Sequence, residues 1–450
     1  MISPSARLVF VSAALLVPLS LLVAAGMVGL TAAAVLTGML VVAALYDAAV
    51  SMRSMSGIEA SFEPLTRLTR DRPAEIVIEI RNEEMKARDL KLGLILPDRI
   101  TSDYSEMSTR LPPEAELSRV AWSVTAVERG NYHLKNIYMQ SPSRVGLWDM
   151  RKTSASRGEV RVYPNTMVEK KGLAAVFLNR GMVGIHSQRQ VGKGREFEKL
   201  REYMPGDSYD DIHWKATAKR GHPVTKVYQL ERTQEVYVVI DSSRLSGRAV
   251  DMSAFTDVGE APTTQLERFI TSAMVLGMVA ERQGDLFGVI AFDDKVKRFV
   301  RAKNGKEHYG TCREALYALE PSDTNPDFSE VCSFIRLKLR KRALLIFLTN
   351  LDDPVLAESF TRNLDLIGRH HLVLVNMLTT PGVSPVFSEP DVTRLDELYE
   401  RLGGHLMWRE LSELKRSLSR NGVSMNMIDN ERMGPEIISQ YVNVKRRQLI

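Results

Sequence analysis

From residue 8 to residue 46 the chain carries no charged side chain. About twenty apolar residues span a bilayer. This run is long enough for two membrane helices, predicted over residues 8–25 and 30–46. Gly26 and Gly29 mark the break between them. Arg7 precedes the run and Arg53 follows it, while the turn between the helices has neither Lys nor Arg. The bias of basic residues toward the cytoplasmic side then predicts a tight hairpin within residues 1–50. Both termini and the soluble parts would lie on the cytoplasmic face of a bacterial-type inner membrane. The alternative is a signal peptide cleaved at the small residues Val23-Ala24-Ala25, which would leave the second helix as the only anchor.

Beyond the hairpin the period shortens. Residues 74–81 (AEIVIEIR) alternate apolar and polar side chains, as a half-buried strand does. Residues 90–96, 118–124, 130–137 and 159–163 read as further strands, separated by turns at Pro97, Pro112-Pro113, Arg129-Gly130 and Pro142. Short strands at this spacing predict an antiparallel, immunoglobulin-like β-sandwich over residues 56–165. Trp122 and Trp148 read as core or edge aromatics.

From Glu235 onward, apolar runs alternate with helical periodicity. Strands are predicted at residues 236–240, 286–292, 343–348, 371–377 and 423–428, with an antiparallel partner at 295–300 after the Asp293-Asp294 turn. Helices are predicted at 264–282, 307–319 and 328–339, from Pro354, and from near Pro435. This alternation over residues 235–450 predicts a mostly parallel, Rossmann-type α/β sheet with helices on both faces. Ligands in such sheets bind outside the carboxyl ends of the strands, where the strand order switches. Three loops would meet there: Asp241-Ser242-Ser243, Asp323-Thr324-Asn325, and Thr349-Asn350 with Asp352-Asp353 just beyond. A carboxylate with hydroxyls from separate loops could suit a hard cation such as Mg²⁺. A metal-dependent hydrolase using Asp241, Asp352 and Asp353 is one reading of the same loops.

The formal charge of +5 is small against 60 basic and 55 acidic residues, so composition argues weakly for an acidic partner. Cys312 and Cys332 are too few and too isolated for a disulfide framework or a zinc knuckle, and read as core thiols.

Residues 180–234 fit neither period. They are dense in Gly and in charge of both signs. Gly192-Lys193-Gly194-Arg195 could form an anion nest but lacks the Gly-Lys-Ser/Thr of a phosphate loop. Residues 196–203 read as a short helix with Phe197, Leu200 and Tyr203 inward, and Pro205-Gly206-Asp207 as a turn. Residues 210–220 read as a second helical turn anchored by Ile212 and Trp214, with Lys215, Lys219 and Arg220 projecting. His213 reads as structural. Basic residues between Arg189 and Lys226 would suit nucleic acid, but Glu196, Glu198, Glu202, Asp207, Asp210 and Asp211 interrupt them, and no nucleic acid is expected.

Two family resemblances follow from these residues. The Asp241 loop set resembles the von Willebrand factor A-like fold, whose metal-ion-dependent adhesion site takes Asp-x-Ser-x-Ser, a Thr and a further Asp. Asp241, Ser243 and Thr324 match; Leu245 stands in place of the second Ser and Asn350 in place of the last Asp. The resemblance implies Mg²⁺ held by Asp241, Ser243, Thr324 and Asn350. With those departures, a loop set that only caps strands and helices is the other reading. The second resemblance rests on Gly192, Gly194, Glu196, Phe197, Leu200, Arg201, Tyr203, Pro205, Gly206, Asp207, Ile212, Trp214, Lys215 and Ala218. It is similar to the core motif of the domain-of-unknown-function family 58 (DUF58). Such proteins are membrane-anchored partners of MoxR-type AAA+ ATPases with no established enzymatic activity. The chain is therefore expected to be a non-enzymatic adaptor that binds such an ATPase, with Lys215, Lys219 and Arg220 as contact candidates.

Overall fold

A computed structural model describes residues 1–167, 191–229, 234–250, 263–386, 388 and 395–447. The chain divides into two compact units, Met1–Asn165 and Thr166–Ile450.

The first unit opens with strand β1 (Ile2–Pro4), helix α1 (Ala6–Ala24) and helix α2 (Leu30–Ser51). Both helices are long and apolar enough to cross a membrane. The break between them falls where the two glycines place it, and Gly26 takes the left-handed conformation (φ +69°) that glycine tolerates best. Helix α2 runs past the predicted end at residue 46 and carries Asp47 inside it.

Nine strands follow: β2 (Ile58–Phe62), β3 (Leu65–Thr69), β4 (Pro73–Asn82), β5 (Arg88–Leu94), β6 (Ile100–Thr101), β7 (Glu106–Leu111), β8 (Leu117–Ala126), β9 (Gly130–Pro142) and β10 (Trp148–Tyr163). They form two sheets, β1-β10-β9-β5-β7 with β3 beside β10, and β2-β4-β8-β6. All pairings are antiparallel except β3 with β10. The two sheets share one core, in which Ile76, Ile78, Ile80 and Trp122 from one meet Leu90, Leu92 and Ile137 from the other. The alternation that predicts β4 is the alternation that fills this core.

The second unit begins with a two-stranded ribbon, β11 (Val191–Glu202) and β12 (Val224–Gln229), enclosing the short helix α3 (Trp214–Arg220). The helix predicted over residues 196–203 is therefore a strand. Phe197, Leu200 and Tyr203 are spaced for a helix, but the β-branched run facing them settles the backbone, with Leu200 opposite Lys226 and Arg201 opposite Thr225.

The rest comprises β13 (Glu235–Asp241), β14 (Ala249–Val250), β15 (Thr263–Thr264), α4 (Gln265–Arg282), β16 (Leu286–Phe292), β17 (Val296–Lys303), α5 (Lys306–Leu316), α6 (Phe328–Lys338), β18 (Ala343–Leu348), α7 (Pro354–Gly368), β19 (Leu372–Leu378), α8 (Leu395–Arg420), β20 (Ser424–Ile428) and α9 (Met433–Arg446). The main sheet has the order β17-β16-β13-β18-β19-β20. Its pairings are parallel except that of β16 with the edge strand β17. Most pairings elsewhere in the chain are antiparallel, so the protein as a whole is mixed α/β.

Both faces of the main sheet are covered, which is why its strands read as continuous apolar runs. Val236, Val238 and Ile240 of β13 pack with α4, α5 and α9. Tyr237 and Val239 pack on the opposite side with α6, α7 and α8. Cys312 and Cys332 sit one in each of these cores, and burial pushes both thiols up to about 12.

Candidate functional site

The main sheet starts at β13 and grows outward on both sides, so the strand order switches beside β13. Its last residue, Asp241, is completely buried. The Ser243 amide donates to Asp241 Oδ1 at 2.8 Å and the Thr349 hydroxyl donates to Oδ2 at 2.6 Å. Burial raises the Asp241 pKa above the ordinary carboxylate value. The hydrogen bonds from Thr349 and Ser243 pull it back, and the nearby Asp293 carboxylate adds to the rise.

The neighbouring loops are tied to the same edge. Ser242 donates through both its amide and its hydroxyl to the Phe292 carbonyl at the end of β16, at 2.8 and 3.0 Å. The Ser322 amide donates to the Ser242 carbonyl at 2.8 Å, and the Arg244 amide donates to the Thr324 carbonyl at 2.9 Å. Ser322 and Thr324 share a hydroxyl hydrogen bond of 2.9 Å. Asn350 is buried, and its Oδ1 accepts from the Asp352 amide at 3.2 Å. Asp241, Ser243, Thr324 and Asn350 thus come from their separate loops to one edge.

Thr349 has no counterpart in the adhesion motif. It is the last loop's direct link to Asp241, one residue before the position aligned with the adhesion motif.

The other carboxylates are also engaged. Asp352 pairs with Arg248, its side chain only 5% exposed. Asp353 caps α7, accepting from the Val355 and Leu356 amides at 2.9 and 3.4 Å. At the end of β16, burial pushes Asp293 up, but hydrogen bonds from Lys297, Ser322, Asp294 and the Lys295 amide outweigh it and hold the carboxyl at about 2. Among the described residues no group of three or more His, Cys, Asp and Glu side chains is placed to hold a metal ion.

In the ribbon, Asp207 organises the turn after β11. Arg201 donates to its Oδ1 at 2.6 Å, and the Met204 amide and Thr225 hydroxyl donate to Oδ2 at 3.0 and 3.4 Å. The Met204 amide is the main cause that holds its carboxyl below the usual range, with Arg201 reinforcing it. Gly206 adopts φ +110°, a conformation that favours glycine at this turn. His213 caps α3 through Nδ1, which accepts from the Ala216 amide at 3.0 Å, and Gly221 ends that helix with φ +71°. Ile212 is buried as expected.

Trp214 is not an inward anchor: it is 68% exposed, with Tyr209 at 75% and Met204 at 60%. It is the first residue of a helix only seven residues long, in the turn that the His213 cap closes, with its side chain turned to solvent. Lys215, Lys219 and Arg220 are exposed on the same helix. Gly192, Gly194, Glu196 and Phe197 lie on β11, and their side chains fall outside the described residues, as does the stretch 180–190.

These features define a mixed α/β protein with two apolar N-terminal helices. Residues 199–381 match the family described as protein of unknown function DUF58, as the motif around Arg201, Asp207 and Trp214 leads one to expect. The chain is 24% identical over 200 residues to the uncharacterized protein Rv1480 of Mycobacterium tuberculosis (strain ATCC 25618 / H37Rv). That alignment takes in 44% of this chain and spans 59% of the relative's length. Among solved structures, BatB from Bacteroides thetaiotaomicron covers 48% of this chain and 99% of its own, at 18% identity and a TM-score of 0.29. An aerotolerance-related membrane protein from Bacteroides fragilis NCTC 9343 covers 47% of this chain and 98% of its own, at 16% identity and a TM-score of 0.27.

Proposed function

We propose that this chain is a membrane-anchored, non-enzymatic adaptor that docks a protein partner through its C-terminal unit. The observation that carries the reading is the exposed Trp214 beside Lys215, Lys219 and Arg220, none of them ion-paired among the described residues. Trp, Tyr and Arg dominate the energetics of protein interfaces, and an isolated exposed Trp beside basic residues suits an acidic protein surface. The class of partner, a MoxR-type AAA+ ATPase, follows from the resemblance carried by the DUF58 motif. The reading of the C-terminal unit as von Willebrand factor A-like draws support from its strand order and from Asp241 and Ser243 at the switch point.

The carboxyl-edge loops serve this reading as a rigid platform. Both Asp241 oxygens already accept hydrogen bonds, Asn350 Oδ1 accepts from backbone, and Asp352 is held by Arg248. This donor set suits tight Mg²⁺ binding poorly, because it brings a single carboxylate, both of whose oxygens already accept hydrogen bonds, and Asn350 brings no charge. It fits a metal-dependent hydrolase no better. Localisation in a bacterial-type inner membrane, with the hairpin spanning it twice and both termini cytoplasmic, is supported by the charge-free run and its flanking arginines.

The test is association of the detergent-solubilised full chain with a purified MoxR-type AAA+ ATPase. Binding that Trp214→Ala weakens supports the proposal. No association, with or without Mg²⁺ and ATP, overturns it.

A further inference from the structure

The two apolar helices do not hang from the first unit by flexible linkers. Strand β1 pairs with β10, Ile2 opposite Met150 and Pro4 opposite Trp148. The amino terminus itself donates to the Arg151 carbonyl at 2.9 Å. Ser5 donates through its hydroxyl to the Gly146 carbonyl at 2.6 Å and through its amide to the Leu147 carbonyl at 3.0 Å.

Helix α2 grips the same loop. Asp47 is 3% exposed. The Ser143 hydroxyl donates to its Oδ2 at 2.6 Å, and the Val145 and Leu147 amides donate to its two oxygens at 3.2 and 3.4 Å. One helical turn on, the Ser51 hydroxyl accepts from the Arg144 amide at 3.2 Å, and Trp148 Nε1 donates to the Ala44 carbonyl at 2.8 Å. The 143–148 loop is thereby fixed at the point where both helices begin and end.

Three arginines lie on the segments that meet at that point. Arg7, in the first turn of α1, lies against the loop: a Cβ on Gly146 would stand 3.0 Å from its Nη1. Arg144 is on the loop itself, and Arg53 follows the end of α2 by two residues. All three are exposed and none has a carboxylate partner among the described residues. Elsewhere on this unit Arg81, Arg99 and Arg119 pair with Glu116, Glu128 and Glu79. The carboxylate at the junction, Asp47, is spent on the loop. Beside the arginines, Tyr46, Met52 and Val145 are 71%, 66% and 65% exposed. Basic and aromatic side chains at the end of an apolar helix are what a headgroup layer accommodates.

We infer that Arg7, Arg53 and Arg144 form a binding site for the phosphate of anionic phospholipid headgroups, held in place by the Asp47-braced loop. The occupant is lipid because the site is continuous with the apolar surface of α1 and α2. The inference rests on the reading of those helices as membrane anchors.

The experiment uses the full chain reconstituted in phosphatidylcholine vesicles, with brominated phosphatidylglycerol or brominated phosphatidylcholine as quencher of tryptophan emission. Trp148 reports on the site, and Trp148→Phe identifies its share. An electrostatic contribution on the order of fivefold per arginine is expected, so with three arginines phosphatidylglycerol should quench at a mole fraction lower by roughly one to two orders of magnitude. R7Q/R53Q/R144Q should bring the two quenching curves together, and R7K/R53K/R144K should keep them apart. Equal quenching of the native chain by the two lipids, while it still floats with the vesicles, overturns the inference. So does loss of the preference on adding inorganic phosphate at millimolar concentration, which would make free phosphate the ligand. A chain that fails to float overturns the membrane-anchor reading itself.

Discussion

The Thr349 hydroxyl donates to the carboxylate of Asp241 at 2.6 Å, joining the ends of β18 and β13 in a fully buried contact. Thr349→Val keeps the shape and removes the donor. An Asp241 oxygen is then left buried with one partner fewer, and a loss of about 1–3 kcal/mol is expected. Its pH dependence is distinctive. The folded pKa of Asp241 is raised, chiefly by burial. Such a group favours folding below its unfolded pKa, and that contribution is lost as pH rises through the folded value. Asp241→Asn should therefore gain on the native chain as pH climbs from about 3 toward neutrality. Urea midpoints across that range check it, and a gap independent of pH would sink the argument. Added Mg²⁺ should leave the native midpoint where it was.

On helix α3 the separation of fold from function is testable because Trp214 is 68% exposed. Trp214→Ala should leave the thermal midpoint nearly unchanged, since little packing is lost. Affinity for the partner should drop by about 2 kcal/mol or more, roughly thirtyfold, as for a central aromatic contact. Reversing Lys215 and Lys219 to Glu should slow association and weaken its salt dependence. Equal binding by the native chain and Trp214→Ala would place the interface elsewhere.

The sequence made the main sheet legible because its strands are buried on both faces. The run from Val236 to Ile240 admits no other reading once Asp241 and two serines close it. The loops that follow β13 and β18 were legible for the same reason: strand ends can be counted. What stayed hidden depended on partners distant in sequence. Phe197, Leu200 and Tyr203 keep helical spacing, and only the facing strand at Val224–Gln229 makes them extended. Trp214 looked like an anchor because apolar size carries no sign of which way a short helix turns. Helix α8 was missed because Gly403-Gly404 interrupts its middle. Asp47 marked the end of a charge-free run, yet it lies within α2, since its charge is met by a loop almost a hundred residues later.

Gly288 sits on β16 where Tyr237 of β13 crosses it. A Cβ there would stand 2.5 Å from the Tyr237 ring and 2.7 Å from the Val300 carbonyl. Tyr237 cannot swing away cheaply, because its hydroxyl accepts from the Ala302 amide at 3.1 Å and its ring stacks on Phe299. Gly288→Ala should cost about 1–3 kcal/mol by overpacking, seen as a lower denaturation midpoint with an unchanged slope. Tyr237→Phe combined with Gly288→Ala should not recover the loss, because the ring still fills the space.

Asp47 braces the 143–148 loop from within α2, and its removal tests whether hairpin and sandwich act as one body. Asp47→Ala leaves the Ser143 hydroxyl and two loop amides without their acceptor, a penalty of about 1–3 kcal/mol for each group that stays dry. The loop should open locally, and trypsin should cut after Arg144 several-fold faster in the variant. The native chain should resist at that bond. Asp47→Asn retains one acceptor oxygen and should lie between the two, and identical cleavage rates in all three would show that the brace is dispensable.

The last prediction concerns His371, which precedes β19 and is 4% exposed. Its Nδ1 accepts from the Ala343 amide at 3.2 Å, so the ring is held neutral. Burial, then the neighbouring His370 and Arg342, lower its pKa from 6.5 to about 4. The unfolded chain therefore takes up the proton first as pH falls. The stabilising contribution is complete above about pH 6.5 and is lost progressively as pH drops toward 4. At roughly 1.4 kcal/mol per unit, the full loss is on the order of 3 kcal/mol. His371→Gln can offer its side-chain oxygen to the Ala343 amide without titrating, so its stability should fall less steeply between pH 6.5 and 4. Parallel pH profiles for the native chain and His371→Gln would assign acid sensitivity to other groups.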